Sequence, residues 1–158
     1  MTLPSVALQE LAERLVRRYG RWEELIVPRP TARVYEQVWD EANANAWLIG
    51  WCPDHDTGWH DHDDAAASIT VLSGQVRELR MRMAGQPHTR LLSRGQTFHV
   101  PPSAIHRVQH AGQEPAVTLH CYSPPLRRAG SYSIGPSGEL LRSSQSFAEE
   151  LTAEPALL

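Results

Sequence analysis

From Arg33 onward the hydrophobic period of this chain switches from that of a helix to that of a strand, and it keeps the second period as far as Tyr122. Val34 to Trp39 alternates, and Asp40 to Asn45 reads as a turn rich in Asn and Asp. Further strand-length segments follow at Trp47–Trp51, Trp59–His62, Ser68–Leu72, Val76–Met83, Arg90–Leu92, Phe98–Val100, Ile105–Val108 and Val117–Tyr122. Turn signals at Ser73-Gly74, Gly85-Gln86-Pro87 and Gly95 separate them. Roughly nine short strands at even spacing, with no helical segments between them, predict an all-β barrel or sandwich.

The flanks differ. Leu8, Leu11, Leu15 and Tyr19 form one apolar stripe within a segment from Ser5 to about Trp22, which predicts a helix capped near Ser5 and stopped at Gly20. Pro28 and Pro30 then make a connector. After Ser123-Pro124-Pro125 the chain turns polar, with one weak strand at Tyr132–Ile134, and Glu149–Leu158 reads as a short helix or frayed tail. The expected organisation is a single domain, with residues 1–30 as a helical cover, 31–135 as the barrel and 136–158 as a tail.

At 158 residues the chain can bury a real core without staples. A net charge of −3 and scattered arginines argue against a nucleic-acid partner. No apolar run approaches the ~20 residues of a membrane span, and the first residues lack a signal-peptide pattern. The expectation is a cytoplasmic protein with no membrane partner, as a monomer or homodimer. Cys52 and Cys121 lack metal-site or disulfide spacing and are expected as reduced core residues.

Eight histidines is a high count, and three of them carry a pattern. His60 and His62 are two apart, so on a strand both imidazoles reach toward one point. His106, from a later strand, can complete a three-nitrogen set that leaves other coordination positions open, as catalytic rather than structural metal sites do. Imidazole donors suit Fe, Zn, Cu or Ni.

These segments resemble the paired motifs of the cupin superfamily. His60-x-His62 is followed by Gly74 at the motif's distance, with Ala66 or Ala67 where the motif has Glu. Gly95, Pro101 and His106 match the second motif, with Ser103 in place of Gly and His110 in place of Asn. The resemblance implies an all-β cupin fold, a double-stranded β-helix or jelly-roll barrel, with the N-terminal helix as cover. Loss of the Glu implies a three-histidine site. Asp61 faces away by alternation, and Asp63 and Asp64 lack the motif's spacing, so these three are expected as outer or solvated groups.

The three-histidine departure, together with Ile105–Val108 and Glu114–Pro125, resembles the thiol dioxygenases of the cysteine dioxygenase family. That family's Ser-x-His-x-Tyr relay has its counterpart in Thr118-x-His120-x-Tyr122, three side chains on one strand face. The resemblance implies Fe(II) held by His60, His62 and His106, with a small thiol and O2 as partners and a sulfinate as product. Thr118, His120 and Tyr122 are the expected catalytic residues. The cysteine that cross-links to the tyrosine in some members is replaced by Ala67, so Tyr122 is expected unmodified. Gln37 falls where cysteine-specific members carry an Arg for the substrate carboxylate, which resembles the subgroup acting on 3-mercaptopropionate. Arg33 on the same face, and Arg127 or Arg128, are further candidates for an anion. Another metal-dependent cupin enzyme, a dioxygenase carrying cysteine beyond the sulfinate, and a non-enzymatic small-molecule-binding cupin stay open as alternatives.

Overall fold

A strand whose two faces are both covered should read as a continuous apolar run. Strands β2 (Ala44–Trp51) and β9 (Ala116–Ser123) are buried along essentially their whole length. The computed structural model, which describes residues 2–18 and 21–147, explains why. Both lie inside an antiparallel sheet of order β1-β2-β9-β4-β7, where β1 is Val34–Glu41, β4 Ala66–Ser73 and β7 Thr97–Val100. Helix α1 (Ser5–Arg18) seals the outer face of this sheet. Leu8, Leu11, Ala12 and Leu15 pack there with Ala46, Leu48, Val117, Leu119 and Cys121.

The inner face of that sheet meets a second antiparallel sheet of order β11-β10-β3-β8-β5-β6. Its strands are β3 (His60–Asp61), β5 (Gln75–Arg80), β6 (His88–Ser93), β8 (His106–Ala111), β10 (Arg128–Ile134) and β11 (Leu140–Ser146). Ile49, Trp51, Ile69, Val71, Val76, Phe98, Val100 and Val108 fill the space between the sheets. Among the described residues no helix is long and apolar enough to cross a membrane.

All nine expected strands are present, with shifted ends. Strand β1 continues through Asp40 and Glu41, which the sequence reading had given to a turn, and β5 ends at Arg80 rather than Met83. The larger difference lies beyond residue 135. Leu140–Ser146, expected as tail, is a strand paired along its length with β10. The helix ends at Arg18 among the described residues. Tyr19, Gly20 and the expected terminal segment Glu149–Leu158 lie outside them.

Two motif positions are set by backbone geometry. Gly74 turns β4 into β5 with φ +65°, and a Cβ there would sit 2.6 Å from the Pro115 carbonyl oxygen, so only glycine fits. Ser103, in the motif's second glycine position, holds φ +60°, the left-handed region that costs an L-residue about 1–2 kcal/mol. Its amide donates to the Asp63 carbonyl at 3.3 Å, tying the loop before His106 to the one after His62. Ser103→Gly is expected to stabilise the fold by a net ~0.5–1 kcal/mol after the added unfolded-state entropy. Urea unfolding reads this directly, and an unchanged midpoint would contradict it.

Candidate metal centre

The centre begins with a two-residue strand. His60 on β3 is paired in register with His106 on β8, and His62 follows one residue past β3 on the same side. So short a strand needs an anchor, and Asp61 supplies it. Its carboxylate accepts from the Gly130 amide at 3.0 Å, the Tyr132 hydroxyl at 2.6 Å, and Arg142 Nε at 2.8 Å. Arg142 also reaches Asp63. Burial opposes ionisation of Asp61, but the bonds from Arg142 and Tyr132 overcome it and hold the carboxyl well below the usual range. Asp61 therefore fastens the histidine strand to β10 and β11. The alternation that turns it away from the histidines is as expected, but it is a buried brace and not a solvated group.

On the other side the imidazoles converge. His62 Nε2 lies 3.3 Å from His60 Nε2 and 3.2 Å from His106 Nε2, and all three residues are buried. Burial, followed by the neighbouring His106 and His60, pushes the His62 pKa well below 6.5. Burial and His60 lower that of His106 to about 4, against the opposing pull of Glu78. Neutral rings at this spacing aim lone pairs at one another, which favours a cation between them. Nitrogens bound at ~2.1 Å to one ion on neighbouring positions stand about 3.0–3.4 Å apart. The three side chains could together hold a metal ion.

The outer nitrogens are treated unequally. His106 Nδ1 meets Glu78 Oε1 at 3.2 Å, and His60 Nδ1 meets the Gly58 carbonyl at 3.2 Å. Among the described residues His62 Nδ1 is buried without a partner. Glu78 is fully buried, with Oε1 also accepting from Arg80 at 2.7 Å and Oε2 from Arg90 Nε at 3.0 Å. Burial alone would raise its pKa, yet the bonds from His106, Arg90 and Arg80 lower it to about 2. Sequence reasoning passed over Glu78. The available signal was parity, because Glu78 shares the inward side of β5 with Val76.

Beside this cluster runs the polar line of β9. Thr118 Oγ1 is 2.8 Å from His120 Nε2, and His120 Nδ1 is 3.0 Å from the Tyr122 hydroxyl. The Tyr122 ring lies edge-on to His62, with centroids 5.0 Å apart. The line has a fourth member, Trp51. Its indole Nε1 donates to Thr118 Oγ1 at 2.8 Å. The indole can only donate, so Thr118 accepts from it and keeps its own proton and a second lone pair for His120 Nε2. With Thr118 donating, His120 carries its hydrogen on Nδ1 and donates to Tyr122. Burial first, then the nearby His106, His60 and Arg33, hold the His120 pKa well below 6.5, so the ring is neutral as this line requires.

Ala67 is the direct cross-strand partner of Tyr122, so no thiol faces the tyrosine from that position. Cys121 neighbours it in sequence but packs on the helix side of the sheet, and burial pushes its thiol up to about 12.

Gln37 pairs across the ladder with Trp47, and Trp47 with His120, which places Gln37 on the relay face two strands away. Gln37 Nε2 and Trp47 Nε1 are both buried without a hydrogen-bond partner among the described residues. Arg33, buried just before β1, lies with its guanidinium 5.8 Å over the Trp51 ring. Arg127 is exposed and ion-paired with Asp40 at 2.7 Å, and Arg128 bonds Ser144, so both point to the surface. Phe147 was missed because it lies in the expected tail. It packs against Trp47 and Tyr122, at 5.5 and 5.4 Å between centroids.

Similar proteins share this architecture. A solved protein from Klebsiella pneumoniae described as having a double-stranded β-helix domain superposes with a TM-score of 0.57 at 18% identity, covering 65% of this chain and 80% of that one. A cupin superfamily protein from Desulfitobacterium hafniense gives 0.54 at 14% identity, covering 63% and 84%. These likenesses establish the cupin fold. In sequence, the chain is 30% identical over 105 residues to cysteine dioxygenase type 1 of Danio rerio, covering 59% of this chain and 52% of that protein. The chain thus spans about half the length of the curated relatives it matches. Residues 20–134, which hold every histidine of the cluster and the whole of the β9 line, match the family described as Cysteine dioxygenase type I, and the chain belongs to that family.

Proposed function

We propose that this protein is an Fe(II)-dependent thiol dioxygenase that converts a small thiol carboxylate and O2 into the corresponding sulfinate, with His60, His62 and His106 as the iron ligands. The observation that carries this reading is the juxtaposition of three converging imidazoles with a hydrogen-bonded line ending at Tyr122. A ferrous ion in this set would supply positions at which a thiol is held as thiolate beside dioxygen. Both oxygen atoms pass to sulfur, so RS⁻ and O2 balance to RSO2⁻ with no external reductant.

The chain's own groups do the positioning. With the line running from Thr118 through His120, the tyrosine hydroxyl accepts from His120 and its own O–H can donate toward the metal side. Edge-to-face aromatics from Trp47, Phe147 and Tyr122 limit the water that reaches this point. Gln37 offers the substrate carboxylate a neutral amide donor where a guanidinium would offer a charged fork. That favours 3-mercaptopropionate or L-cysteine without demanding the amino-acid group. Arg33, behind Trp51, is a second candidate partner for the anion.

Oxygen uptake by the iron-loaded protein with cysteine, 3-mercaptopropionate, cysteamine and mercaptosuccinate tests the reading. Uptake with one of these, and sulfinate as product, is expected. Failure with every thiol despite one bound iron would transfer the site to another cupin chemistry. Gln37→Arg is expected to raise the ratio of kcat/KM for cysteine over 3-mercaptopropionate by about tenfold or more, the worth of one charge-assisted bond. An unchanged ratio would place the carboxylate elsewhere.

A further inference from the structure

We propose that Glu78 is a positioning residue that makes His106 the strongest donor of the three histidines, and that two arginines detain it in that place. The proposal rests on the reading of the cluster as a metal centre. The family's wider motif puts a carboxylate in front of the metal, where this chain has Ala66 and Ala67. A fully buried carboxylate is nonetheless present, and it stands behind a ligand instead.

Geometry holds it there. Glu78 is the cross-strand partner of Arg90 on one side and of Val108, two residues along from His106, on the other. Arg80, the cross-strand partner of His106, occupies Oε1 together with the imidazole, and Arg90 occupies Oε2. With both oxygens engaged, the carboxylate cannot swing round to become a fourth ligand without leaving two guanidiniums behind.

A carboxylate accepting from Nδ1–H fixes the tautomer that presents the Nε2 lone pair inward, and it increases the basicity of that nitrogen. His60 Nδ1 meets a peptide carbonyl, and among the described residues His62 Nδ1 has no partner. Three chemically identical ligands are thereby graded by what stands behind them. His106 would contribute most to metal retention and to stabilising the more oxidised ion.

Competitive chelator titration with Co(II), with the visible spectrum of bound cobalt as a second readout, separates this role from a structural one. Glu78→Gln is expected to weaken Co(II) by about 10–100-fold and to shift the cobalt bands. Arg90→Met, which frees Oε2 but leaves Arg80 holding the Oε1 that meets His106, is expected to stay within about threefold. Equal losses in both variants, or no loss in Glu78→Gln, would overturn the proposal. If Glu78→Gln does not fold, long-range nitrogen–proton correlation on the zinc-loaded wild type decides it. A downfield Nδ1–H on His106 is expected, and an Nε2–H tautomer would refute it. A wild type that binds no divalent metal would remove the metal centre itself, whereas full binding with an indifferent Glu78→Gln removes only this inference.

Discussion

His62→Ala is expected to abolish stoichiometric metal binding and, with it, thiol-dependent oxygen uptake. His62 is the hinge of the cluster, since its Nε2 is the atom within 3.3 Å of both other rings. Its loss removes a ligand outright, so the fall in affinity should exceed the ~10–100-fold that follows loss of an outer partner. The fold itself should not depend on the imidazole in the same way. Among the described residues His62 Nδ1 has no hydrogen-bond partner and its Nε2 meets the other two imidazoles, so alanine removes buried volume without breaking a bond to the rest of the fold. The informative quantity is the rise in melting temperature on adding metal. In the wild type, metal at about 100 times its Kd stabilises by ~2.7 kcal/mol, and this increment should vanish in the variant. A variant that keeps wild-type metal stoichiometry and the full increment would remove His62 from the ligand set.

Tyr122→Phe is expected to lower kcat by about 10²–10³-fold with little change in metal affinity, the size seen when one preorganised donor is removed from a reacting centre. The same line makes a stricter demand on Trp51. Trp51→Phe keeps a buried ring but deletes the N–H that orders Thr118, so Thr118 can turn its proton away from His120. Trp51→Phe alone should cost roughly tenfold in kcat, about one hydrogen bond's worth. In the Tyr122→Phe background, the same Trp51→Phe change should cost almost nothing, because members of one network lose function together. Additive losses would show that Trp51 acts by packing alone, and an unchanged kcat in Tyr122→Phe would dissolve the relay.

Much of this site could be read from the chain, and the parts that could not share a cause. His60, His62 and the Thr118–His120–Tyr122 set are each local patterns of period two, so strand alternation alone brings their members together. His106 was reached through the spacing of the glycine and proline around it. Glu78 and Trp51 act on partners far away in sequence, 28 and 67 residues respectively, and nothing local announces such a pairing. Strand β11 escaped for a different reason. Its residues are mostly exposed, so it carries no buried face to impose a period, and it is held by pairing with β10 and by Arg142 on Asp61. Phe147 followed it out of view.

Strand β9 carries Thr118, His120 and Tyr122 on one face and the hydrocarbon that seats α1 on the other. This double duty acts as a proofreading device during folding. A slip of one residue against β2 or β4 would press a hydroxyl, an imidazole and a phenol into the seam beneath the helix and turn Val117, Leu119 and Cys121 toward the histidines. Each polar group so stranded costs about 1–3 kcal/mol, a combined penalty comparable to much of the stability of a typical domain. The chain therefore cannot settle into a shifted pairing that leaves the centre nearly right: the contacts that assemble the chemistry are also those that reject the wrong alignment.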